Sequence, residues 1–251
     1  MSGTDSVLLE NMTWPEVEQA LESGTDTVVF SVSSIEQHGP HLPLRMDSLA
    51  GDELSRRVAT ELGDALAAPT VHLGCSGHHM DFPGTITLPT EVFMDVVRAQ
   101  CRSLDRHGFE YIAIIATHGG NFAPLNAVVP DLARELDSTV IPLADLDELM
   151  ELMNEGMAEA GIEYEEPVIH AGAAETSIVL AVAQELVRTD QLRPGFEGEV
   201  PVSKLLSEGF RSITEEGVLG DPEQATAEAG QLILEKLTES MTEQIVAERS
   251  R

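Results

Sequence analysis

Acidic and imidazole side chains lie close together between Ser34 and Asp47, directly after an apolar run that reads as a buried strand. Glu36 and His38 are two residues apart, so an extended backbone would place both side chains on one side. Asp47 follows a stretch whose prolines can neither continue a helix nor donate to a central strand ladder. A lone Glu-x-His pair is common without any function. Two carboxylates and an imidazole at the end of a strand nevertheless suit a hydrolytic metal ion.

Two further polar, glycine-rich segments stand beside apolar runs. Residues 117–121 follow the strand-like run 111–116, and residues 170–177 precede the apolar run 178–183. Recurrence of this arrangement is typical of a site at the carboxyl edge of a parallel sheet.

The chain alternates between strand-like and helix-like stretches. Strands are predicted at 27–32, 70–73, 111–116 and 139–143, and helices at 48–66, 90–107, 122–136, 147–160, 173–187 and 223–248. Helices of this length between strands imply right-handed crossovers. We therefore expect an α/β fold, a three-layer α/β/α sandwich with a mainly parallel central sheet, in a single domain of residues 1–251. The weakly periodic segment 190–221 is interpreted as a rim loop or a subunit contact.

Together these motifs resemble the creatininase family, which comprises creatinine amidohydrolase and its relatives. The resemblance rests on segments 34–43, 82–86, 118–121, 170–172, 175–177, 220–222 and 225–228, and on Asp47. It extends from about Val28 to the final helix and so covers nearly the whole chain. It implies a creatininase-like fold and a metal-dependent amidohydrolase activity.

The resemblance also implies a site for two divalent metal ions. Glu36, Asp47 and His118 would hold one ion, while His38 and Asp47 would face the second, which makes Asp47 the bridge. Creatininase itself has an acidic residue where this chain has Gly120. We therefore expect the second site to be completed by Glu175. Nitrogen and oxygen ligands without thiolate suit Zn, Mn or Fe, and the sequence does not choose among them.

His170 is the best candidate for a general acid or base, because an imidazole can protonate a departing amine near neutral pH. A helix-capping histidine, or one that braces a metal ligand, is the alternative. Glu175 is placed with His170 among the candidate catalytic residues.

Four residues are candidates for substrate binding. Gly119 and Gly120 would let backbone N–H groups approach a substrate oxygen closely, although a plain tight turn is the alternative. Asn121 is expected either to cap the following helix, which we favour, or to bind substrate. His79 matches a histidine of many relatives and is expected to line the pocket.

The function predicted from these residues is hydrolysis of a non-peptide C–N bond, in a cyclic amide or a formamide, by a metal-activated water. Gly120 and the distance of the single tryptophan, Trp14, from the motifs count against creatinine as substrate. The alternatives are a peptidase of the mycofactocin-precursor type and a non-catalytic metal-binding assembly protein on the same fold. Family members form rings, typically hexamers, so a homo-oligomer is expected by resemblance.

The charge of the chain is strongly negative. Forty-four acidic against fourteen basic residues give a formal net charge of −30. No basic stripe is available to replace phosphate counterions, so nucleic acid is excluded as a partner. The acids are dispersed, which we interpret as adaptation to a salt-rich, halophilic cytoplasm. No apolar run reaches the length of about 20 residues that a membrane span needs.

Two observations favour a cytoplasmic protein. Residues 1–5 contain no basic segment followed by an apolar one, so no secretory signal is visible. The two cysteines, Cys75 and Cys101, are expected to be buried free thiols in a reducing compartment.

We expect the urea midpoint of unfolding to rise when KCl is raised from about 0.1 M to about 1 M. Salt shortens the Debye length from about 10 Å to about 3 Å and so relieves repulsion among the acids. Circular dichroism during urea titration measures the midpoint, and the rise in KCl should exceed the rise that uncharged sucrose at equal osmolality gives by exclusion from the protein surface. A midpoint that does not rise with KCl contradicts the salt adaptation.

Overall fold

The computed structural model describes residues 7–164, 166 and 169–251. Residues 1–5, which were inspected for a secretory signal, lie outside the described residues. Within these ranges four parallel strands form the sheet, namely β1 (Thr27–Val32), β2 (Ala65–Ala67), β3 (Tyr111–Ala116) and β4 (Thr139–Leu143). Their order is β2-β1-β3-β4.

The described residues contain eight α-helices. These are α1 (Trp14–Glu22), α2 (Met46–Leu62), α3 (Thr90–His107), α4 (Phe122–Glu135), α5 (Leu146–Glu159), α6 (Ala173–Ala183), α7 (Val202–Glu208) and α8 (Ala227–Arg249). Helices α3 and α4 cover one face of the sheet, whereas α2, α5, α6 and α8 cover the other. The fold is therefore the α/β class that the sequence predicts.

The central strands β1 and β3 are buried along almost their whole length because helices cover both faces of the sheet. Thr27 pairs with Tyr111 and Val32 with Ala116, so the two strands end level with each other. Phe30 and the residues that share its face pack against α3 and α4, while Val29 packs on the opposite side. This register places the loops after β1 and β3 side by side.

Several of the sequence-based element boundaries are wrong: the helix predicted at 173–187 ends at Ala183, and the helix predicted at 223–248 begins at Ala227. The helix predicted at 48–66 ends at Leu62, because Gly63 adopts a left-handed conformation (φ 78°) that terminates α2. The chain then enters β2, so Leu66 lies on a strand. The strand predicted at 70–73 is reduced to a single bridge between Val71 and Val32. The predicted helix at 122–136 is present as α4 and continues through Pro130.

Segment 190–221 folds back over the site-bearing edge of the molecule. It contains α7, and its residues Phe210, Val200 and Leu219 form a small apolar cluster with Phe82 from another loop. Phe196 also pairs with Leu219. The rim-loop interpretation matches this placement.

Both cysteines are free, as predicted, with Cys101 buried and Cys75 only partly so. No helix in the described part of the chain is long and apolar enough to cross a membrane.

Helix α8 approaches its neighbours closely through glycines. A Cβ added at Gly230 would lie 1.9 Å from the carbonyl oxygen of Ser177 in α6. A Cβ at Gly156 of α5 would lie 2.7 Å from Ile233 Cγ1 and 2.8 Å from its Cα in α8. Backbone atoms cannot rotate away, so the spacing of α5, α6 and α8 requires glycine at both positions.

The Gly230→Ala variant is expected to lose roughly 1–3 kcal/mol of stability through overpacking. The direction of the stability change is informative, because a Gly→Ala change in an exposed helix increases stability by up to about 1 kcal/mol. Val246→Ala on the exposed side of α8 is the control and should change stability by no more than about 0.5 kcal/mol. Urea titration of both variants measures the difference. Unchanged or increased stability of Gly230→Ala contradicts the close packing.

Candidate metal centre and active site

The carboxyl edge of the sheet brings together side chains from four elements. Glu36 and His38 follow β1, His118 follows β3, Asp47 lies in the first turn of α2, and Glu175 lies in the first turn of α6. These five residues are buried. Parallel pairing of β1 with β3 is the reason that segments distant in sequence converge here.

His118 directs a ring nitrogen at two carboxylates. Its Nδ1 lies 3.2 Å from Glu36 Oε1 and 3.6 Å from Asp47 Oδ2. Its Nε2 lies 3.2 Å from the carbonyl oxygen of Cys75, which can only accept a hydrogen bond. Nε2 therefore carries a ring proton, and Nδ1 is the ring nitrogen that faces the carboxylate oxygens.

His38 repeats this arrangement on the other side of Asp47. Its Nδ1 donates to the backbone carbonyl of Glu36 at 3.2 Å. Its Nε2 therefore faces Asp47 Oδ1 at 3.4 Å and Glu175 Oε2 at 3.6 Å. Asp47 thus offers one oxygen to each imidazole, and Ser34 Oγ holds it by donating to Oδ2 at 2.6 Å.

These residues fit divalent cations. Lone pairs and carboxylate oxygens repel each other unless a positive charge lies between them. Glu36 Oε2 is buried and has no hydrogen-bond partner among the described residues. Candidate ligand atoms in the groups Glu36–Asp47–His118 and His38–Asp47–Glu175 lie within 4.8 Å of one another. An imidazole that donates its second N–H to a carbonyl is the usual state of a metal ligand.

The electrostatics of the protein groups alone point the same way. Burial lowers the pKa of His38, but Asp47, Glu175 and Glu36 outweigh burial and raise it to about 10. Burial likewise lowers the pKa of His118, yet Glu36 and Asp47 raise it to about 9. Burial raises the pKa of Glu175 to about 7, opposed by His38 and assisted by Asp47. Without a metal ion, protons on His38 and His118 therefore supply the positive charge near pH 7, and a bound cation would displace them.

Glu175 is held by an unusual backbone turn. Its Oε2 accepts a hydrogen bond of 2.5 Å from the N–H of Ala171. Ala171 has a φ of 55°, the left-handed region that residues other than glycine seldom adopt. Such strain persists where surrounding structure imposes it, commonly at functional sites. The turn connects Glu175 directly to the segment that carries His170.

His170 and His79 lie beside this group and share one neighbour. Gln37 Nε2 is 2.8 Å from His170 Nε2 and 3.0 Å from His79 Nδ1. Burial and the nearby imidazole of His38 hold the pKa of His170 well below its ordinary value. Burial and the imidazole of His170 do the same for the pKa of His79. Both rings are therefore neutral near pH 7.

The two glycines after His118 differ in what surrounds them. A Cβ at Gly120 would lie 2.2 Å from the carbonyl oxygen of Cys75 and 2.6 Å from His118 Nε2, so no side chain fits. A Cβ at Gly119 would meet nothing within 4 Å. An acidic ligand at position 120 is thus incompatible with this backbone, whereas Gly119 borders open space.

Asn121 does not cap α4 through its side chain, so that preferred prediction is wrong. Its Oδ1 accepts from the N–H of Cys75 and its Nδ2 donates to the carbonyl of Ser33, both at 2.9 Å. The side chain is fully buried and ties together three loops of the site. Substrate binding by Asn121 stays a prediction that competes with these bonds.

Sequence reasoning missed Gln37 and Phe210. The ring of Phe210 stacks on His79 with centroids 4.1 Å apart and contacts His170 at 4.4 Å. Phe210 lies in the weakly periodic segment and carries no motif. Gln37 stands between Glu36 and His38, and strict strand alternation would point it away from them. The chain leaves regular strand geometry here, with Gly39 at φ 64°, so the alternation does not hold.

Replacing Asn121 by alanine leaves a buried N–H and a buried carbonyl without partners. We expect a loss of roughly 2–4 kcal/mol in the free energy of unfolding. Asn126→Ala is the matched control, because that exposed asparagine on α4 donates only to the carbonyl of Ala144 at 3.2 Å. It should cost less than about 1 kcal/mol. Equal effects in the two variants, measured by urea titration, contradict the bridging role.

Curated relatives share most of their length with this chain. A mycofactocin precursor peptide peptidase from Mycolicibacterium smegmatis is 32% identical over 235 residues, covering 90% of this chain and 86% of the relative. A creatinine amidohydrolase from Pseudomonas putida is 28% identical over 257 residues, covering 96% of each.

Solved structures that resemble this chain point to the same group of proteins. A crystal structure of creatinine amidohydrolase has a TM-score of 0.81 at 25% identity, covering 96% of this chain and 97% of that one. A structure described as creatininase Mn has a TM-score of 0.77 at 27% identity, covering 96% and 98%. The family described as Creatininase, creatinine amidohydrolase, matches residues 10–245. The chain therefore belongs to the creatininase family and is, with that family, a hydrolase of amide carbon–nitrogen bonds.

Proposed function

We propose that this chain is a dinuclear metal-dependent amidohydrolase that cleaves a non-peptide C–N bond in a small cyclic amide or formamide. The observation that carries the proposal is the pair of imidazoles, His38 and His118, whose free nitrogens face opposite oxygens of Asp47. A carboxylate that serves two ligand groups at once is suited to bridge two cations.

In this proposal Glu36, Asp47 and His118 hold one ion, and His38, Asp47 and Glu175 hold the other. Glu175 replaces the acidic ligand that position 120 cannot supply, because no side chain fits on the backbone at Gly120. Divalent ions bound here would polarise a substrate carbonyl and lower the pKa of a water molecule toward neutrality. Zn, Mn and Fe all suit nitrogen and oxygen ligands, and a related creatininase structure is described as the Mn form.

The residues around the ligands supply the other requirements of amide hydrolysis. His170 is buried beside Glu36, and we assign it the transfer of a proton from the attacking water to the departing nitrogen. The backbone N–H groups at Gly119 and Gly120 are assigned to the developing oxyanion, since Gly119 borders open space. His79 lines the same pocket. Phe210 covers both imidazoles, which excludes water and favours a small substrate.

A second candidate is a peptidase acting on a short modified precursor. It is favoured by the 32% identity to a mycofactocin precursor peptide peptidase. A long peptide would have to displace Phe210, which argues for the first candidate. Turnover of N-formyl compounds and cyclic amides, compared with turnover of short peptides, separates the two.

Three broader properties complete the proposal. We place residues 1–251 in one creatininase-like domain, and we expect a homo-oligomer, by resemblance a hexamer. The net charge of −30 supports a salt-rich cytoplasm as the working environment.

Metal content is the test of the centre. Protein purified in high salt should carry about two equivalents of Zn, Mn or Fe per chain, and Glu175→Ala should carry about one. Glu185→Ala, an exposed glutamate after α6, is the control and should retain both. Inductively coupled plasma mass spectrometry makes the measurement.

Two other results would change or contradict the proposal. About one equivalent in both the unmodified protein and Glu175→Ala removes Glu175 from the ligand set. No metal even after reconstitution contradicts the amidohydrolase proposal altogether.

A further inference from the structure

Helix α6, whose first turn carries Glu175, has no capping side chain of its own. Its N-cap residue is Gly172, so the N–H groups at the start of the helix need acceptors from elsewhere in the chain. The carboxylate of Glu166 provides two. Its Oε1 accepts from the N–H of Ala173 at 2.6 Å, and its Oε2 accepts from the N–H of Ala174 at 3.1 Å. One side chain therefore holds the two residues that directly precede Glu175.

Two glycines enclose the carboxylate of Glu166. A Cβ added at Gly172 would lie 1.9 Å from its Oε1, and a Cβ added at Gly220 would lie 2.3 Å from the same atom. Both glycines belong to motifs of the sequence, 170–172 and 220–222. Glu166 itself is only 1% exposed. These two motifs therefore bring the main chain close around one buried side chain.

The backbone of Glu166 is fixed as well as its carboxylate. Its N–H donates to Asn154 Oδ1 at 2.9 Å, and its carbonyl accepts from Asn154 Nδ2 at 3.1 Å. Asn154 lies on α5, so both bonds attach Glu166 to a neighbouring helix. The start of α6 is consequently tied to α5 through Glu166.

The start of α6 also determines where the carboxylate of Glu175 lies. Glu175 is the third residue of the helix, and its Oε2 accepts from the N–H of Ala171. The same oxygen lies 3.6 Å from His38 Nε2. Residues 171–175 form one continuous turn, in which the N–H of Ala171 bonds to Glu175 and the next two bonded N–H groups, at 173 and 174, bond to Glu166. Displacement of the turn would therefore displace Glu175.

We propose that Glu166 is a positioning residue that fixes the first turn of α6 and thereby holds Glu175 at the second metal ion. The inference rests on the proposed function, in which Glu175 is a ligand of that ion together with His38 and Asp47. Glu166 acts through backbone N–H groups and is not itself a ligand. The other ion is held by residues that follow β1 and β3 and by Asp47 of α2, so its binding does not depend on the start of α6.

Glu166→Gln tests this role, because the amide keeps the size of the side chain but can accept through only one of its two ends. Its NH₂ group would face an N–H donor, and the first turn of α6 should shift. The metal-free chain is titrated with Mn²⁺, and electron paramagnetic resonance counts the free ion. At about pH 8 the carboxyl of Glu166 is ionised, although burial raises its pKa to about 7. We expect the second Mn²⁺ to bind about 10-fold or more weakly in the variant, with binding of the first unchanged.

Asp145→Asn is the matched control. Asp145 Oδ1 caps α5 by accepting from the N–H groups of Asp147 and Glu148, both at 3.1 Å, and α5 carries no proposed ligand. This variant also removes one negative charge from the start of a helix, yet it should bind both ions as the unmodified protein does. An unchanged second affinity in Glu166→Gln, or an equal loss in Asp145→Asn, overturns the proposal.

Asn154→Ala retains the test if Glu166→Gln does not fold. It removes both side-chain bonds that hold the backbone of Glu166 and leaves the carboxylate in the chain. The second Mn²⁺ should again bind more weakly while the first binds as before. An unchanged second affinity in this variant would overturn the proposal in the same way.

A measurement without metal separates this inference from the proposed function. The N–H of Ala171 donates to Glu175 and not to Glu166, so its hydrogen exchange reports whether Glu175 stays in place. In ¹⁵N-alanine-labelled, metal-free protein, exchange at Ala171 should be about 10-fold or more faster in Glu166→Gln than in Asp145→Asn. Exchange at Ala181, later in α6, is the internal reference and should be equal in the two variants.

The two measurements fail in different ways. If the unmodified protein binds no second Mn²⁺, the proposed two-ion site is wrong, and exchange at Ala171 still decides whether Glu166 positions Glu175. Faster exchange confined to Ala171 supports that role. Equal exchange at Ala171 in both variants, or an equal increase at Ala171 and Ala181, overturns it.

Discussion

Three buried carboxylates, Glu36, Asp47 and Glu175, converge at one edge of the sheet, and the rest of the site depends on balancing their charge. An unpaired ion taken out of water costs several kcal/mol. Hydrogen bonds from Ser34 and Ala171 offset part of that cost, and the facing imidazoles direct ring nitrogens to the place where a cation, a proton or a metal ion, is needed. The arrangement is stable as a cation site and poorly suited to a purely structural role.

Close approach of backbone segments makes this convergence possible. Gly120 admits the carbonyl of Cys75 beside His118, and Gly217 packs against the amide of Gln37. Asn121 joins the loops by bonding to backbone on both sides. Because these contacts involve main-chain atoms, the loops cannot relax independently, and the ring nitrogens of the site keep their directions.

The acidic residues on the surface and those at the metal centre respond differently to dissolved salt, although both carry negative charge. Dispersed surface acids are hydrated, so their mutual repulsion weakens as salt shortens the Debye length. The buried carboxylates around Asp47 are shielded from solvent, so their charge is balanced by ions bound in direct contact with them. Stability in salt and affinity for metal are consequently separate properties of this chain, and each can change without the other.

The sequence alone determined β1, β3 and β4, the helical layers and the candidate ligands, because apolar periodicity and short motifs are local properties of the chain. It also indicated that Glu175 would replace an acidic residue at Gly120. Only the tertiary structure decided that β2 lies at Ala65–Ala67, that Phe210 covers the imidazoles and that Gln37 lies between His170 and His79. Those features arise from contacts between residues far apart in the chain, whose partners no local pattern specifies.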